Sequence, residues 1–163
     1  MFRVCFVCLG NICRSPQAEG IFLDLVRRAG LQDRVEVDSA GTGAWHVGEP
    51  ADPRTLAASR RHGIELPSRA RQFAAGDLDR FDLVLAMDAA NLGNLKRLEA
   101  EQRVRSGQPV RAELRLLRAY DPDADDPSVP DPYAGSGDGF ERVFQMCRVA
   151  CERLLVDVRG RLG

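Results

Sequence analysis

The chain has 163 residues, of which 44% are hydrophobic and 29% charged, a balance typical of a folded globular protein and not of a disordered or fibrous one. Its net charge of -1 argues against a nucleic-acid-binding surface, and no apolar run approaches the roughly 20 residues that a membrane span needs. The five cysteines form no pair of C-x-x-C elements, and the N-terminus lacks a signal-peptide pattern, so we expect reduced thiols, a cytoplasmic location and no metal site.

Strands and helices alternate from the start of the chain. Phe2 to Leu9 is a short apolar run typical of a buried strand. Ser15-Pro16 predicts the start of a helix with serine as its N-cap, and the apolar spacing that follows predicts that the helix ends near Gly30. Val35 to Asp38 predicts a second strand, and the sequence SAGTG predicts a turn directly after it.

The same alternation continues to the C-terminus. We expect, in chain order, a helix from Pro53 to His62, a strand from Phe81 to Met87, a helix from Ala89 to about Arg105, a strand from Glu113 to Leu117, a polar loop from Asp121 to Asp138, and a helix whose apolar stripe runs from Phe140 to Val158. This order predicts an α/β protein with a parallel sheet covered on both faces, in a single domain over residues 1–163.

Residues Cys8 to Ser15 have the chemistry of an anion cradle. They follow the first strand and lead into a helix, which is where ligands bind in parallel sheets. A loop containing Gly10 that runs into a helix N-terminus directs backbone N–H groups at one point. Arg14 adds a bidentate donor for phosphate oxygens, and it favours the thiolate form of Cys8, a nucleophile. Ser15 can donate a hydrogen bond to that thiolate, and Asn11 can brace the loop.

Longer stretches of the chain resemble one family of enzymes. Five segments occur in the order found in low-molecular-weight protein tyrosine phosphatases: VCLGNICRSPQAE, VDSAGTGAWHVGEPADPR, RHGIELPSRARQF, FDLVLAMDAANL and DPYAG. The resemblance implies a flavodoxin-like, doubly wound sheet of four parallel strands with helices on both faces. It implies Cys8 as nucleophile, Arg14 as phosphate clamp and Asp131 as general acid, with no cofactor. Only the resemblance selects Asp131 among the many aspartates of its loop.

The resemblance also implies a pocket for a phenyl ring. Trp45 and Tyr133 would form its walls, with Leu9 and Ile12 at the rim. The residues assigned to substrate binding are Leu9, Gly10, Asn11, Ile12, Cys13, Ser15, Trp45 and Tyr133. Ser39, together with Asn11 and Ser15, is assigned a supporting role.

Two positions depart from the family pattern. Ala134 stands where the motif often has a second tyrosine, so tyrosine-based regulation at this position is not implied. Ser68 stands where relatives of the mammalian enzymes carry a histidine, so the supporting role of that histidine does not transfer to this chain.

The other cysteines, histidines and arginines have structural explanations. Cys5 is expected in the core of the first strand, and Cys147 and Cys151 lie one helical turn apart on an apolar stripe. His46 lies in a loop with no metal-binding partner at useful spacing. His62 lies at the predicted end of a helix. Three arginines form either a solvated helix face or a basic rim for acidic peptides: Arg54, Arg60 and Arg61.

The predicted function is hydrolysis of phosphotyrosine and small aryl phosphates through a phosphocysteine intermediate. An arsenate reductase of this fold would need further cysteines after the third strand, and residues 88–118 contain none. A phosphoarginine phosphatase typically has threonine at the position of Ile12 and lacks the wall at Trp45. A phosphotransferase-system carrier would lack Arg14, and a non-catalytic phosphopeptide-binding relative would lack Asp131. The expected partner is a phosphotyrosine protein or peptide, and the resemblance suggests an autophosphorylating tyrosine kinase as one such substrate.

The position of Cys13 suggests that it protects Cys8 from irreversible oxidation. A reactive thiolate at Cys8 is readily oxidised to a sulfenic acid, which a second thiol can capture before further oxidation. Cys13 lies five residues later across the same loop, and the resemblance also supports a Cys8–Cys13 disulfide. The alternative is that Cys13 only packs beneath the loop.

Overall fold

The computed structural model describes residues 1–135 and 138–163. Its elements in chain order are β1 (Phe2–Cys8), α1 (Arg14–Arg28), β2 (Val35–Gly41), α2 (Pro53–Arg60), α3 (Asp77–Arg80), β3 (Leu83–Ala86), α4 (Ala89–Ser106), β4 (Glu113–Leu116), a 3-10 turn (Leu117–Tyr120) and α5 (Asp138–Leu162). Ser136 and Gly137, which belong to the predicted polar loop, lie outside the described residues. No helix within the described ranges is long and apolar enough to cross a membrane.

The strands within these ranges form one parallel sheet in the order β2-β1-β3-β4. β1 is central, and its residues Phe2 to Cys8 pair in register with Val35 to Gly41 of β2. Each step from one strand to the next passes through a helix, as parallel pairing requires. The arrangement confirms the predicted α/β fold, a doubly wound sheet of four parallel strands of the flavodoxin type.

Side chains of β1 alternate between two buried cores, because successive residues of a strand point to opposite faces. Val4 and Phe6 pack with residues of α1 and α5, and the ring of Phe6 meets that of Phe22 edge-on at 5.8 Å. Cys5 and Val7 pack on the other face, with residues of α3 and α4. The helices therefore cover both faces. The prediction that three cysteines are buried core residues is confirmed for Cys5, Cys147 and Cys151.

The predicted N-cap at Ser15 is wrong. Helix α1 begins at Arg14, its N-cap residue is Cys13, and within the described part of the chain no side chain caps its first turn. The hydroxyl of Ser15 lies instead against Cys8 and Asn11. The first amide groups of α1 are thus left for a ligand, which is the usual situation at an anion-binding helix terminus.

The turn predicted directly after Asp38 is also wrong, because β2 continues to Gly41. The glycine serves a close approach of two backbones and not a turn. A Cβ atom at position 41 would lie 2.8 Å from the carbonyl oxygen of Leu9, a distance that a side chain does not tolerate. The extra strand residues bring the end of β2 beside Cys8 at the carboxyl edge of the sheet.

Candidate active site

The loop after β1 forms an anion cradle around the side chain of Cys8. The carbonyl groups of Cys8, Leu9 and Ile12 accept hydrogen bonds from backbone N–H groups that follow β2, at 2.9, 2.9 and 2.8 Å respectively. These loop carbonyl groups are thus engaged by the chain that follows β2. The N–H of Asn11 lies 3.3 Å from Cys8 Sγ. N–H donors converging at a helix N-terminus are suited to an anion.

Cys8 lies at the floor of this cradle, where 3% of its surface is exposed. Its Sγ atom is 3.0 Å from Ser15 Oγ, so the hydroxyl can donate to a thiolate. Together with the N–H of Asn11, this places two donors on the sulfur. Hydrogen-bond donors at this position suit a negatively charged sulfur.

Asn11 makes hydrogen bonds from the loop to three other parts of the chain. Its backbone is in the left-handed region with φ 57°, which asparagine adopts more readily than most residues. Its Nδ2 donates to Ser15 Oγ at 2.8 Å and to Ser39 Oγ at 3.0 Å, and its Oδ1 accepts from the N–H of Arg71 at 3.0 Å. The side chain therefore ties the loop to β2 and to the segment that precedes α3.

A partly buried carboxylate extends this network beyond the residues identified from sequence. Glu19 Oε1 accepts from Ser39 Oγ at 2.7 Å and from Ser68 Oγ at 2.8 Å. Burial raises the pKa of Glu19 above its ordinary value, and the two hydroxyl donors oppose that effect. Ser68 thus joins the hydrogen-bond network of Asn11 and Ser39 through its hydroxyl. The spacing of Glu19 four residues after Ser15 on α1 was the available signal.

Arg14 lines the same cavity as Cys8 and is buried, with 3% of its surface exposed. Its Nη1 donates to Asp88 Oδ2 at 2.6 Å and to the carbonyl oxygen of Val129 at 3.0 Å. Its Nη2 lies 3.7 Å from Asp131 Oδ2. Neither Nε nor Nη2 makes a hydrogen bond to the residues that the structure describes, so both remain for two phosphate oxygens. Asp88 and Val129 therefore orient the guanidinium by holding Nη1, the nitrogen that the phosphate does not use.

Asp88 was not identified from the sequence. It directly follows Met87 after the third strand, caps α4 by accepting from the N–H of Asn91 at 2.8 Å, and uses its other oxygen to hold Arg14. An aspartate at the carboxyl end of a parallel strand that also begins a helix was a usable signal, because such ends meet at one edge of the sheet.

The walls of the cavity are aromatic. The cavity encloses about 160 Å³ and is lined by Cys8, Leu9, Gly10, Ile12, Cys13, Arg14, Trp45, His46, Asp131 and Tyr133. Trp45 is 73% exposed and Tyr133 51% exposed, so both rings are open to a ligand. A Cβ atom at Gly43 would lie 1.9 Å from the Trp45 ring, so this glycine lets the ring pack against the backbone. The structure thus brings the predicted wall residues to the same cavity as Cys8.

His46, for which the sequence offered only a loop position, also lines this cavity. Its Nδ1 pairs with Glu49, and its ring lies 6.3 Å from that of Tyr133. The sequence could have predicted this position only from the adjacent residue Trp45, which was already expected to form a wall of the pocket.

Asp131 lies at the cavity mouth with a half-exposed side chain. Its Oδ1 accepts from the N–H of Tyr133 at 3.0 Å, which closes a tight turn. Asp121 and Asp126 of the same loop accept backbone N–H groups within their own turns. All three aspartates thus make the same local hydrogen bond, and of the three only Asp131 lines the cavity that holds Cys8. A thiol nucleophile, a guanidinium fork and a carboxyl group around one cavity suit phosphoryl transfer to sulfur.

Comparison with known proteins agrees with this geometry. The model of the family described as low molecular weight phosphotyrosine protein phosphatase matches residues 3–161. A low molecular weight protein-tyrosine-phosphatase of Streptomyces coelicolor is 51% identical over 163 residues, 99% of this chain and 96% of the relative. A crystal structure of a protein tyrosine phosphatase from Entamoeba histolytica has a TM-score of 0.89 and 31% identity, covering 100% of both chains. A Drosophila arginine phosphatase has a TM-score of 0.88 and 34% identity over 95% of this chain and 96% of its own. The chain therefore belongs to the low molecular weight phosphotyrosine protein phosphatase family.

Proposed function

We propose that the protein hydrolyses phosphotyrosine in protein or peptide substrates through a phosphocysteine intermediate. The observation that supports this most strongly is the position of Cys8 Sγ at the floor of the cradle, within reach of Ser15 Oγ and the N–H of Asn11. Arg14 lines the same cavity, and Asp88 orients its guanidinium. The aromatic rings of Trp45 and Tyr133 at the same cavity fit the phenyl ring of the substrate.

In the first step, Cys8 Sγ attacks phosphorus and the bond from phosphorus to the tyrosine oxygen breaks. The charge on the equatorial oxygens is stabilised by the loop N–H groups and by the fork of Arg14. The carboxyl group of Asp131 gives a proton to the departing phenolic oxygen. The product of this step is S-phosphorylated Cys8, and tyrosine leaves.

In the second step, the carboxylate of Asp131 accepts a proton from a water molecule that attacks the phosphocysteine. The bond between sulfur and phosphorus breaks, and inorganic phosphate leaves. Ser15 and the N–H of Asn11 donate to the sulfur as it regains its charge. The same two donors therefore assist the sulfur first as nucleophile and then as leaving group.

Family membership implies a phosphoprotein substrate. Within that class, an autophosphorylating tyrosine kinase is our candidate. We place the protein in the cytoplasm because its reaction needs a reduced thiol, and all five cysteines are free.

A phosphoarginine phosphatase is the second candidate, because a solved structure of such an enzyme superposes closely on this chain. Ile12 and the aromatic wall at Trp45 favour the tyrosine substrate. Turnover of a phosphotyrosine peptide, phosphoarginine and arsenate under identical conditions tests the assignment. We expect the phosphotyrosine peptide to be hydrolysed fastest. Preferential turnover of either of the other two substrates would reassign the function.

Phosphotyrosine peptides should be turned over faster than phosphoserine peptides of the same sequence. Cys8 is buried at the cavity floor, and a serine stem is too short to bring its phosphate there. Since one methylene in an apolar pocket is worth roughly 10–200-fold, we expect the loss of a whole ring to lower kcat/KM by about 100-fold or more. Trp45→Ala should reduce the ratio of the two kcat/KM values, because it should raise KM for the phosphotyrosine peptide. Comparable kcat/KM values for both peptides would reject the aromatic slot.

Peroxide should inactivate the enzyme reversibly through a Cys8–Cys13 disulfide. Peroxide oxidises the Cys8 thiolate to a sulfenic acid. Cys13 then loses its proton and attacks that sulfur as a thiolate, which forms the disulfide and expels hydroxide, and the hydroxide takes up the proton to give water. Both thiols line the same cavity. Dithiothreitol should restore activity, and phosphate in the cradle should protect. In Cys13→Ser, recovery should be lost when measured against the variant's own activity before peroxide. Recovery equal to that of the parent would exclude Cys13 as the resolving thiol.

The pH dependence gives a separate check on this pairing. Burial raises the pKa of Cys13 to about 12, so at neutral pH it is almost wholly a thiol. Since the thiolate is the attacking form, disulfide formation should accelerate from neutral to mildly alkaline pH. Peptide mass mapping measures the rate at which the Cys8–Cys13 disulfide forms. A rate that falls from neutral to mildly alkaline pH would contradict the mechanism.

A further inference from the structure

Arg54, near the start of α2, lies between the anion cradle and the segment that carries the general acid. We call residues 129–135, which include Asp131, the acid loop. The sequence suggested only a solvated helix face or a basic rim for Arg54 and its neighbours Arg60 and Arg61. In the structure, Arg60 pairs with Glu65 and Arg61 with Glu141, whereas Arg54 is directed elsewhere.

On one side, Arg54 is anchored to the cradle through Asp52. The N–H of Asp52 donates to the carbonyl oxygen of Ile12 at 2.8 Å, which fixes the aspartate against the loop. Its carboxylate accepts Arg54 Nε at 3.0 Å and Nη2 at 2.9 Å, a bidentate pair. Hydrogen bonds from the Arg54 side chain hold the pKa of Asp52 below its ordinary value. The pair therefore persists across the pH range of a phosphatase assay.

On the other side, the guanidinium contacts two aromatic rings. Its central carbon lies 4.5 Å from the ring centroid of Phe140 in α5 and 5.6 Å from that of Tyr133 in the acid loop. A guanidinium over the face of an aromatic ring is attractive, and a fork fixed by a carboxylate holds its position. The N–H of Tyr133 in turn donates to Asp131 Oδ1 at 3.0 Å.

We propose that Arg54 is a positioning residue for the general acid. It fixes Tyr133 relative to the cradle, and the turn between Tyr133 and Asp131 then fixes the carboxyl group at the cavity mouth. Arg54 touches neither the phosphate nor the sulfur in this scheme. The inference rests on the proposed function, because it needs Asp131 to donate the proton.

The test compares kcat/KM for aryl phosphates whose leaving groups span a range of basicity. This parameter reports steps up to formation of the phosphoenzyme, which include the proton donation. General acid catalysis raises the rate by roughly 10²–10⁴-fold, and a misplaced acid should lose part of this rate enhancement. Arg54→Ala should therefore lower kcat/KM by about tenfold for poor leaving groups. For activated leaving groups the change should stay within about twofold, because protonation contributes little there. Arg60→Ala, on the same helix, is the matched control and should leave the whole series unchanged.

A double variant separates positioning from general structural damage. In Asp131→Asn, further replacement of Arg54 by alanine should cost almost nothing, since the acid that Arg54 positions is already absent. Equal losses across the leaving-group series, or additive losses in the double variant, would overturn the proposal. If Arg54→Ala unfolds, Arg54→Gln retains the aliphatic stem and undergoes the same comparison. A parent enzyme that does not hydrolyse aryl phosphates would instead refute the proposed function.

Discussion

Cys8→Ser is expected to abolish hydrolysis of aryl phosphates while leaving the site able to bind inorganic phosphate. Serine is not ionised at neutral pH, so the nucleophile is lost. The loop N–H groups and Arg14 that bind the anion stay in place. The rate should fall by more than about 10⁴-fold, as expected when an enzyme loses its nucleophile. Steady-state rates with p-nitrophenyl phosphate and calorimetric titration with phosphate measure the two properties.

Cys5→Ala is the control for this experiment. Cys5 is also a buried thiol of β1, but it packs on the opposite face of the sheet from Cys8. Its loss should leave turnover within about twofold, apart from any loss of folded protein. Appreciable hydrolysis by Cys8→Ser would eliminate the phosphocysteine mechanism.

Asp131→Asn is expected to slow substrates with poor leaving groups strongly. Asparagine preserves the shape of the side chain and can still accept from the N–H of Tyr133, but it has no proton to give. We expect kcat/KM to fall by roughly 10²–10⁴-fold for unactivated aryl phosphates, the usual value of general acid catalysis. The loss should shrink steadily as the leaving group becomes a weaker base.

Asp126→Asn provides a matched control from the same loop. Its carboxylate accepts the N–H of Ser128 within a local turn, which an asparagine side chain can also do. This variant should retain the activity of the parent for every leaving group. A uniform loss for Asp131→Asn across the series would assign the acid to another residue.

The cradle could be anticipated from the sequence because its parts are consecutive. A buried strand, a loop with glycine and the start of a helix place Cys8 and Arg14 together by local geometry alone. The alternating order of elements likewise predicted the parallel sheet. The end of β2 and the start of α1 were harder to predict from the sequence. Gly41 and Ser15 make contacts across the site that override their usual preferences for turns and helix caps.

The remainder of the site depends on contacts between distant parts of the chain. Asp88 meets Arg14 across 74 positions, and Arg54 meets Tyr133 through a ring contact that no spacing rule predicts. Asp131 resembles its aspartate neighbours until the fold brings it to the cavity. The expectations of a single domain, and of a reaction without metal, cofactor or nucleic-acid partner, stay predictions.

The central claim is that the phosphoryl group passes through Cys8. Asp131→Asn is suited to trapping it, because an activated aryl phosphate can still phosphorylate the enzyme while the loss of the general base slows attack by water. Mixing this variant with p-nitrophenyl phosphate, quenching rapidly and mapping the peptides by mass spectrometry locates the group. We predict a burst of p-nitrophenol that matches the enzyme concentration and a phosphoryl group on Cys8. Turnover without a phosphoenzyme, or phosphorylation at any other residue, would contradict the mechanism.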